Sequence, residues 1–288
     1  MMMRADLHCH TKISDNSFTT EEVISIAKEA EITHLAITDH DTTAGLQKAL
    51  QVGKHLGVEI IPGIEISAYD FVRNSRAHIL GYYIEPEHPA IEQLCGPLRN
   101  ARNAAALEMV KKLVEVGYSI NWEQVQKYAA GGTGVYKQHI MHALIDQGYC
   151  KEIYGPLYKE IFSRGSETHK PGIAYVPLRY LDVFDAIAAI REAGGVPVLA
   201  HPGQFNNYDA VPEWVKAGLE GIEVKHPLHG EQDKNISASL ALKYDLVMTG
   251  GSDFHGFYGN PEHKIGSKTA GIDSIHQLME RKKSISPI

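Results

Sequence analysis

Tryptophan occurs twice and cysteine three times in the 288 residues, and positive charge is in short supply: 28 Lys and Arg stand against 35 Asp and Glu, a net charge of −7. Each scarcity excludes something. Cys9, Cys95 and Cys150 are odd in number and irregularly spaced, which fits neither a disulfide framework nor a zinc finger and makes a reducing cytoplasm the expected compartment. The acidic balance argues against a broad surface for long nucleic acid, though not against a local basic pocket. No apolar run reaches the ~18 residues that a bilayer-crossing helix needs, so no membrane association is expected. The opening MMMRADLHCH has no apolar core, and a secretory leader is not expected either. Walker loop, GxGxxG fingerprint and GxSxG elbow are all missing, which disfavours P-loop, dinucleotide-binding and serine-hydrolase chemistry. No repeat and no low-complexity tract is evident.

Histidine is what the chain has in excess: 16 residues, more than twice the seven Phe or the seven Met. With 43% hydrophobic composition the chain can bury a sizeable core, as one large α/β domain or one carrying an insertion. Short apolar runs alternate with helical patterns. RADLH, HLAIT (34–38), AHILGYY (77–83), VPVLAHP (196–202), GIEVKHP (221–227) and DLVMTGGSD (245–253) read as strands. VEIIPGIEIS (58–67) reads as one or two strands interrupted at Pro62–Gly63. TTEEVISIAKEA starts behind Thr19 with Glu22 three residues on, a capping-box signature. TAGLQKALQVGKHLG reads as a helix stopping near Gly57. Repeating β-α units predict a mainly parallel sheet or barrel. Residues 91–177 break the rhythm. They carry three helical patterns (NARNAAALEMVKKLVEVG, GVYKQHIMHALIDQGY, IYGPLYKEIFSRG) and no buried strand. They are read as a helical insertion into a body formed by residues 1–90 and 178–288.

Most of the histidines and acids with chemical potential follow those apolar runs. His8 and His10 end the first, with Asp15 close behind; Asp39, His40 and Asp41 follow HLAIT; Glu65 comes just after Pro62–Gly63; His78 lies in AHIL; His201 follows VPVLA; Asp253 and His255 follow VMTGGS. In a β/α barrel the strand C-termini converge on the face where active sites form. Carboxylates gathered there need countercharge, and Lys12 is the only cation within these motifs. A divalent metal supplies it. Imidazole and carboxylate donors, with no thiolate beyond Cys9, suit Zn²⁺, Mn²⁺ or Fe²⁺. One cation takes about four to six ligands, so nine candidates imply two or three metals with a bridging carboxylate such as Glu65. Cys9 is read as filling a small buried space. Asp39 and Asp41 are open between orienting ligand histidines and capping the next helix. His34, His55, His88, His169, His263 and His276 are read as ordinary structural or surface residues.

The ordered series DLHCHTKISD, ITDHDT, PGIEIS, AHILGY, VLAHPG and GGSDFH resembles the PHP (polymerase and histidinol phosphatase) metal-dependent phosphoesterases, over roughly residues 4–90 and 175–270. The resemblance implies a distorted seven-stranded β/α barrel with a trinuclear metal site and hydrolysis of phosphate esters by a metal-bridging hydroxide. It places the metal ligands on His8, His10, Asp15, His40, Glu65, His78, His201, Asp253 and His255. It groups His8, His10, Glu65 and Asp253 on one metal, Glu65, His78 and His201 on a second, and Asp15, His40 and His255 on a third. Glu65 and Asp253 are thereby the catalytic carboxylates, and His226 is the candidate proton donor to the leaving group. The insertion resembles the subgroup containing 3′,5′-nucleotide bisphosphate phosphatases, an RNA 5′-end exonuclease and a cyclic ribose phosphate dihydrolase. Relatives acting on nucleotides carry arginines where this chain has Lys137 and His142, and Lys is a point charge rather than a fork. Lys137, His142, Arg102, Arg164 and His229 are the candidate substrate contacts. The expected substrate is a small phosphorylated ribose or nucleotide, cleaved as a cyclic diester, a monoester or both. The alternatives are 5′–3′ trimming of short RNA and a non-catalytic metal-binding regulatory domain.

Overall fold

The computed structural model describes residues 3–166 and 168–285. Its elements run β1 (Ala5–Asp6), α1 (Thr20–Glu29), β2 (His34–Ile37), α2 (Leu46–Leu56), β3 (Glu59–Asp70), β4 (Ser75–Tyr82), α3 (Pro89–Glu115), α4 (Trp122–Tyr128), α5 (Lys137–Asp146), α6 (Pro156–Phe162), β5 (Leu181–Asp182), α7 (Val183–Glu192), β6 (Val196–Leu199), α8 (Pro202–Phe205), α9 (Val211–Lys216), β7 (Gly221–Lys225), α10 (Glu231–Tyr244), β8 (Val247–Gly250) and α11 (Ile272–Ser284). Two compact units divide the chain, Met1–Gly96 with Tyr180–Ile288, and Pro97–Arg179.

The first unit is a barrel-like sheet with strand order β1-β2-β3-β4-β6-β7-β8, and β5 added to β3. Every pairing is parallel except those of β4, which runs antiparallel to both β3 and β6. The sheet nearly closes, because Leu7 N–H donates to Gly250 O at 3.2 Å and joins the ends of β1 and β8. Side chains alternate across it. Leu7, Ala36, Ile61, Leu80, Tyr82, Val198, Ala200 and Val247 form one buried cluster. Ile37, Ile60, Ile64, Ile66, Ile79, Leu199 and Ile222 join a second with the helices, including Val23, Ile24, Ala49, Ile187, Ile190 and Trp214. Burying each large aliphatic stabilises the fold by about 1.5–3 kcal/mol.

Local chemistry explains the elements. Thr19 and Glu22 close the expected capping box on α1, and Gly57 ends α2 in the left-handed region at φ 77°. Pro62 does not interrupt β3. It occupies the last rung with β2, opposite Ile37, and the strand continues to Asp70. The reversal into β4 is an Asx turn: Asp70 Oδ1 accepts from Val72 and Arg73 N–H at 2.9 and 3.1 Å, and Asn74 takes φ 52°.

The second unit holds the remainder of α3 with α4, α5 and α6, and none of its described residues is a strand. Val110, Leu113, Val125, Ile140, Met141, Leu144 and Ile161 are among its buried apolar residues. Where the sequence patterns mark three helices, the structure has a fourth short one, α4, capped by Asn121 accepting from Gln124 N–H at 2.9 Å. Among the described residues no helix is long and apolar enough to cross a membrane.

Inside the barrel, fully buried Tyr82 donates its hydroxyl to Leu7 O at 2.7 Å, just before His8. Tyr82→Phe leaves that carbonyl with one bond fewer and is expected to destabilise the protein by about 1–3 kcal/mol. Urea unfolding midpoints at constant slope check this.

Candidate metal centre

Most of the candidate ligands sit in loops that leave the strands, while Glu65 and His78 lie within β3 and β4, and these segments hydrogen-bond to one another. After β1, His10 N–H donates to Phe254 O at 3.2 Å while Asp253 N–H donates to His8 O at 2.9 Å. After β2, Asp41 N–H donates to Glu65 O at 2.9 Å and Glu65 N–H to Asp39 O at 3.3 Å, bridging His40 to Glu65. Gly251 permits the first contact: a Cβ there would lie 2.3 Å from His8 N. His201, at φ 23°, and Asp253, at φ 51°, hold backbone conformations that side-chain-bearing residues rarely adopt, each costing on the order of 1–3 kcal/mol.

Glu65 lies at the centre. Its Oε2 is 3.2 Å from His8 Nε2, 3.1 Å from His10 Nε2 and 3.3 Å from His40 Nδ1; its Oε1 is 2.8 Å from His78 Nδ1 and 2.9 Å from His201 Nε2. Asp253 Oδ1 is 3.4 Å from His8 Nε2 and 3.3 Å from His10 Nε2. Asp15 Oδ1 is 3.3 Å from His255 Nε2 and 3.7 Å from His10 Nδ1. Among the described residues four metal-sized donor sets result: His8, His10, Glu65, Asp253; His10, Asp15, His40, His255; His8, Glu223, His226; and His40, Glu65, His78. His201 reaches the last through Glu65 Oε1.

These residues fit divalent cations. His8 Nε2 and both His10 ring nitrogens are buried and lack a hydrogen bond of acceptable geometry, although carboxylate oxygens stand close by. Ligands about 2.1 Å from a tetrahedral cation stand roughly 3.4 Å from one another, and the first set has that spacing. Among the described residues, the ion pairs of Glu65, Glu223 and Asp253 are all with histidines. Burial alone would raise Glu65 and Asp253, but the surrounding imidazoles outweigh it and hold both well below the usual carboxylate range. Burial opposes a charge on His10, yet Asp253, Glu65 and Asp15 drive it up to about 10. For His40 burial prevails and its value falls to about 4. The cluster is a concentration of negative charge that calls for a cation.

Sequence reading missed Glu223. Completely buried in β7, it stands 3.2 Å from His8 Nδ1 and accepts His201 N–H at 2.8 Å, so that it directs His8 Nε2 toward Glu65. The available signal was a lone acid inside the apolar strand GIEVK. Asp6 was missed too; it accepts from Ser252 and Gly266 N–H at 2.9 and 2.8 Å and ties β1 to the loops after β8. Asp39 caps no helix. It accepts from Thr11 N–H, Thr11 Oγ1 and Ser14 Oγ at 2.8, 2.7 and 2.6 Å, bracing the loop that carries Asp15. Asp41 accepts from Ser67 N–H at 2.7 Å. Cys9 is fully buried, and burial pushes its thiol well up, away from the thiolate a metal requires.

The remaining candidates divide. His226 is buried, with Nδ1 accepting from Leu228 N–H at 3.2 Å and Nε2 3.3 Å from Asp253 Oδ2. That arrangement sets His226 against Asp253. His229, expected to face substrate, has both ring nitrogens occupied by backbone: Nδ1 donates to Val224 O at 2.9 Å and Nε2 accepts from Gly203 N–H at 3.2 Å. It pins the start of α8 to β7 and offers no free nitrogen. Lys137, His142, Arg102 and Arg164 belong to the helical unit. There Lys137 Nζ lies 5.2 Å over the Phe162 ring, Arg102 stacks at 4.8 Å on Tyr136, His142 stacks at 3.9 Å on Tyr128, and Arg164 is exposed.

Glu223→Gln keeps the shape but sets an amide N–H₂ against N–H donors. It is expected to weaken metal binding or turnover roughly 10- to 100-fold; calorimetric titration with Mn²⁺ measures it, and an unchanged isotherm removes Glu223 from the centre.

Comparison with known proteins places the chain in a family. The PHP domain model matches residues 6–173. The phosphoribosyl 1,2-cyclic phosphate 1,2-diphosphodiesterase of Eggerthella lenta is 43% identical over 91% of this chain and 97% of its own. The 5′-3′ exoribonuclease Rnm of Escherichia coli is 31% identical over 97% and 94%. A solved structure from Bifidobacterium adolescentis, described as a candidate metal-dependent phosphoesterase, superposes with a TM-score of 0.86 at 28% identity, covering 96% of each chain. The expectation raised by the six motifs is met: this chain belongs to the PHP family.

Proposed function

We propose that the protein hydrolyses phosphate esters of a small phosphorylated ribose or nucleotide, opening a cyclic phosphodiester, cleaving a monoester, or both in succession. One observation carries the reading: the buried Glu65 carboxylate ringed by His8, His10, His40, His78 and His201 at 2.8–3.3 Å. The relative 43% identical over nearly all of both chains, named for a phosphoribosyl cyclic phosphate, supports the substrate class.

We assign three cation positions: one to His8, His10, Glu65 and Asp253, a second to Glu65, His78 and His201, and a third to Asp15, His40 and His255. Divalent cations held there would neutralise phosphoryl oxygens and make water acidic enough to attack at neutral pH. The donor set of imidazoles and carboxylates suits Mn²⁺, Zn²⁺ or Fe²⁺. The protein's own share is preorganisation. Glu65 would serve two of these positions, Glu223 fixes His8, and His226 fixes Asp253. Asp39 holds the loop bearing Asp15. Water cleaves one P–O bond at a time, its hydroxyl passing to phosphorus and its proton to the departing alcohol. Three free cysteines fit a reducing compartment, the cytoplasm.

The exoribonuclease relative favours a second reading, removal of 5′ nucleotides from short RNA. A net charge of −7 weighs against long strands.

His201→Ala is expected to lower turnover by at least about 10³-fold with the fold retained, since it strips a donor and a Glu65 partner together. Phosphate release from 5-phosphoribosyl 1,2-cyclic phosphate, 3′,5′-bisphosphoadenosine and a 5′-phosphorylated trinucleotide, with circular dichroism alongside, checks this. Full activity in the variant contradicts the assignment, and cleavage of the trinucleotide alone selects the second reading. Chelation by EDTA is expected to abolish release from every substrate, with recovery on adding Mn²⁺. Activity that survives exhaustive chelation rules the metal mechanism out.

A further inference from the structure

The β3–β4 hairpin carries more than ligands. Its register sets Glu65 opposite Leu80, Ser67 opposite His78 and Tyr69 opposite Arg76. Directly opposed residues share a face, and so do alternate residues along a strand. The face that presents Glu65 and His78 therefore continues to Tyr69 and Arg76. Two residues of extended strand separate Arg76 from His78, about 7 Å, comparable with the width of a sugar ring.

Arg76 stands apart from its counterparts. The barrel unit contains five arginines: Arg4, Arg73, Arg76, Arg191 and Arg281. Arg4 donates to the Ala30 and Gly266 carbonyls, Arg73 to Asp70 and Glu213, Arg191 to Gly218 and Glu220, and Arg281 to Glu220 and Asp245. Among the described residues, no carboxylate lies within ion-pair distance of Arg76. It is exposed, and its guanidinium carbon lies 5.0 Å over the Tyr180 ring, which stacks on Tyr69 at 6.5 Å and 10°. Stacking restrains the plane of the fork and leaves its N–H donors for an oxyanion. The nearby acids do not compete, because Arg73 already holds Asp70 and Glu213. The backbone of Arg76 is tied to the site as well. Its carbonyl accepts Asn207 Nδ2–H at 2.6 Å, two residues beyond Phe205, whose ring packs on His78 and His201 at 5.2 and 5.7 Å.

We propose that Arg76, seated on Tyr180, binds a second phosphate of the substrate, one that is not cleaved. The assignment rests on the phosphoesterase reading and extends it: the substrate carries two phosphoryl groups about one sugar apart, and the hairpin selects for the second. Arg76 is a specificity residue and touches no reacting atom.

The test compares 5-phosphoribosyl 1,2-cyclic phosphate with ribose 1,2-cyclic phosphate, which lacks the 5-phosphate, on the Mn²⁺-loaded full-length protein. Arg76→Ala is expected to lower the ratio of kcat/KM between the two esters roughly 10- to 100-fold, chiefly through KM. Arg76→Lys recovers part of that ratio, a point charge replacing a fork. The thermal midpoint stays with that of the wild type. A ratio unchanged in Arg76→Ala, with wild-type protein active on both esters, overturns the proposal while the phosphoesterase reading stands. Wild-type protein inert toward both esters overturns this proposal, and inert toward 3′,5′-bisphosphoadenosine as well it overturns the phosphoesterase reading with it.

Discussion

Everything in the barrel unit answers to one electrostatic constraint. Glu65, Asp15 and Glu223 are carboxylates withdrawn from water, Asp253 beside them is mostly so, and histidines surround all four. Isolated buried carboxylates would protonate or unfold the site. Here they stay ionised because imidazoles crowd them, and some of those imidazoles are driven to carry charge in return. Protons are a poor countercharge for such a cluster: each neutralises one group, whereas a divalent cation serves three or four donors at once.

The scaffold meets that constraint with backbone geometry. Exit loops of β1 and β8 bond to each other, and the loop after β2 bonds to Glu65 within β3, so ligands far apart in sequence are held by main-chain hydrogen bonds instead of long flexible side chains. Gly251 lets two loops approach more closely than any Cβ allows. Glu223 couples His8 with His201 across the barrel. Strained backbone at His201 and Asp253 is held by hydrogen bonds from their own N–H groups to Glu223 and to His8 O. The antiparallel β4 is the departure from the parallel β/α plan that lets one hairpin carry Glu65, His78 and Arg76 on a single face.

The legibility of the site in the sequence follows a physical divide. The nine candidate donors were readable because each lies in a short motif of unusual composition, most of them shortly after a strand and Glu65 and His78 within β3 and β4. The barrel was readable from alternating apolar runs and helical patterns, and α1 from its Thr19–Glu22 box. Glu223 was not, since an acid in a strand looks like a solvent-facing position until its partners His8 and His201, which are distant in sequence, are seen. Pro62 suggested a break because its missing N–H harms a strand interior; it sits instead where the β2 ladder ends. Helix α4 has only seven residues, too few for a periodic signal, although Asn121 marked its start. His229 looked available because proximity to a strand end says nothing about which backbone groups will take its nitrogens.

The most direct test of a polynuclear centre around Glu65 is anomalous scattering from crystals grown with Mn²⁺. The account predicts two or three peaks, one among His8, His10, Glu65 and Asp253, another beside Asp15, His40 and His255, with Glu65 ligating more than one ion. Ordered side chains in the arrangement described above, with no anomalous density among them at saturating Mn²⁺, would contradict it.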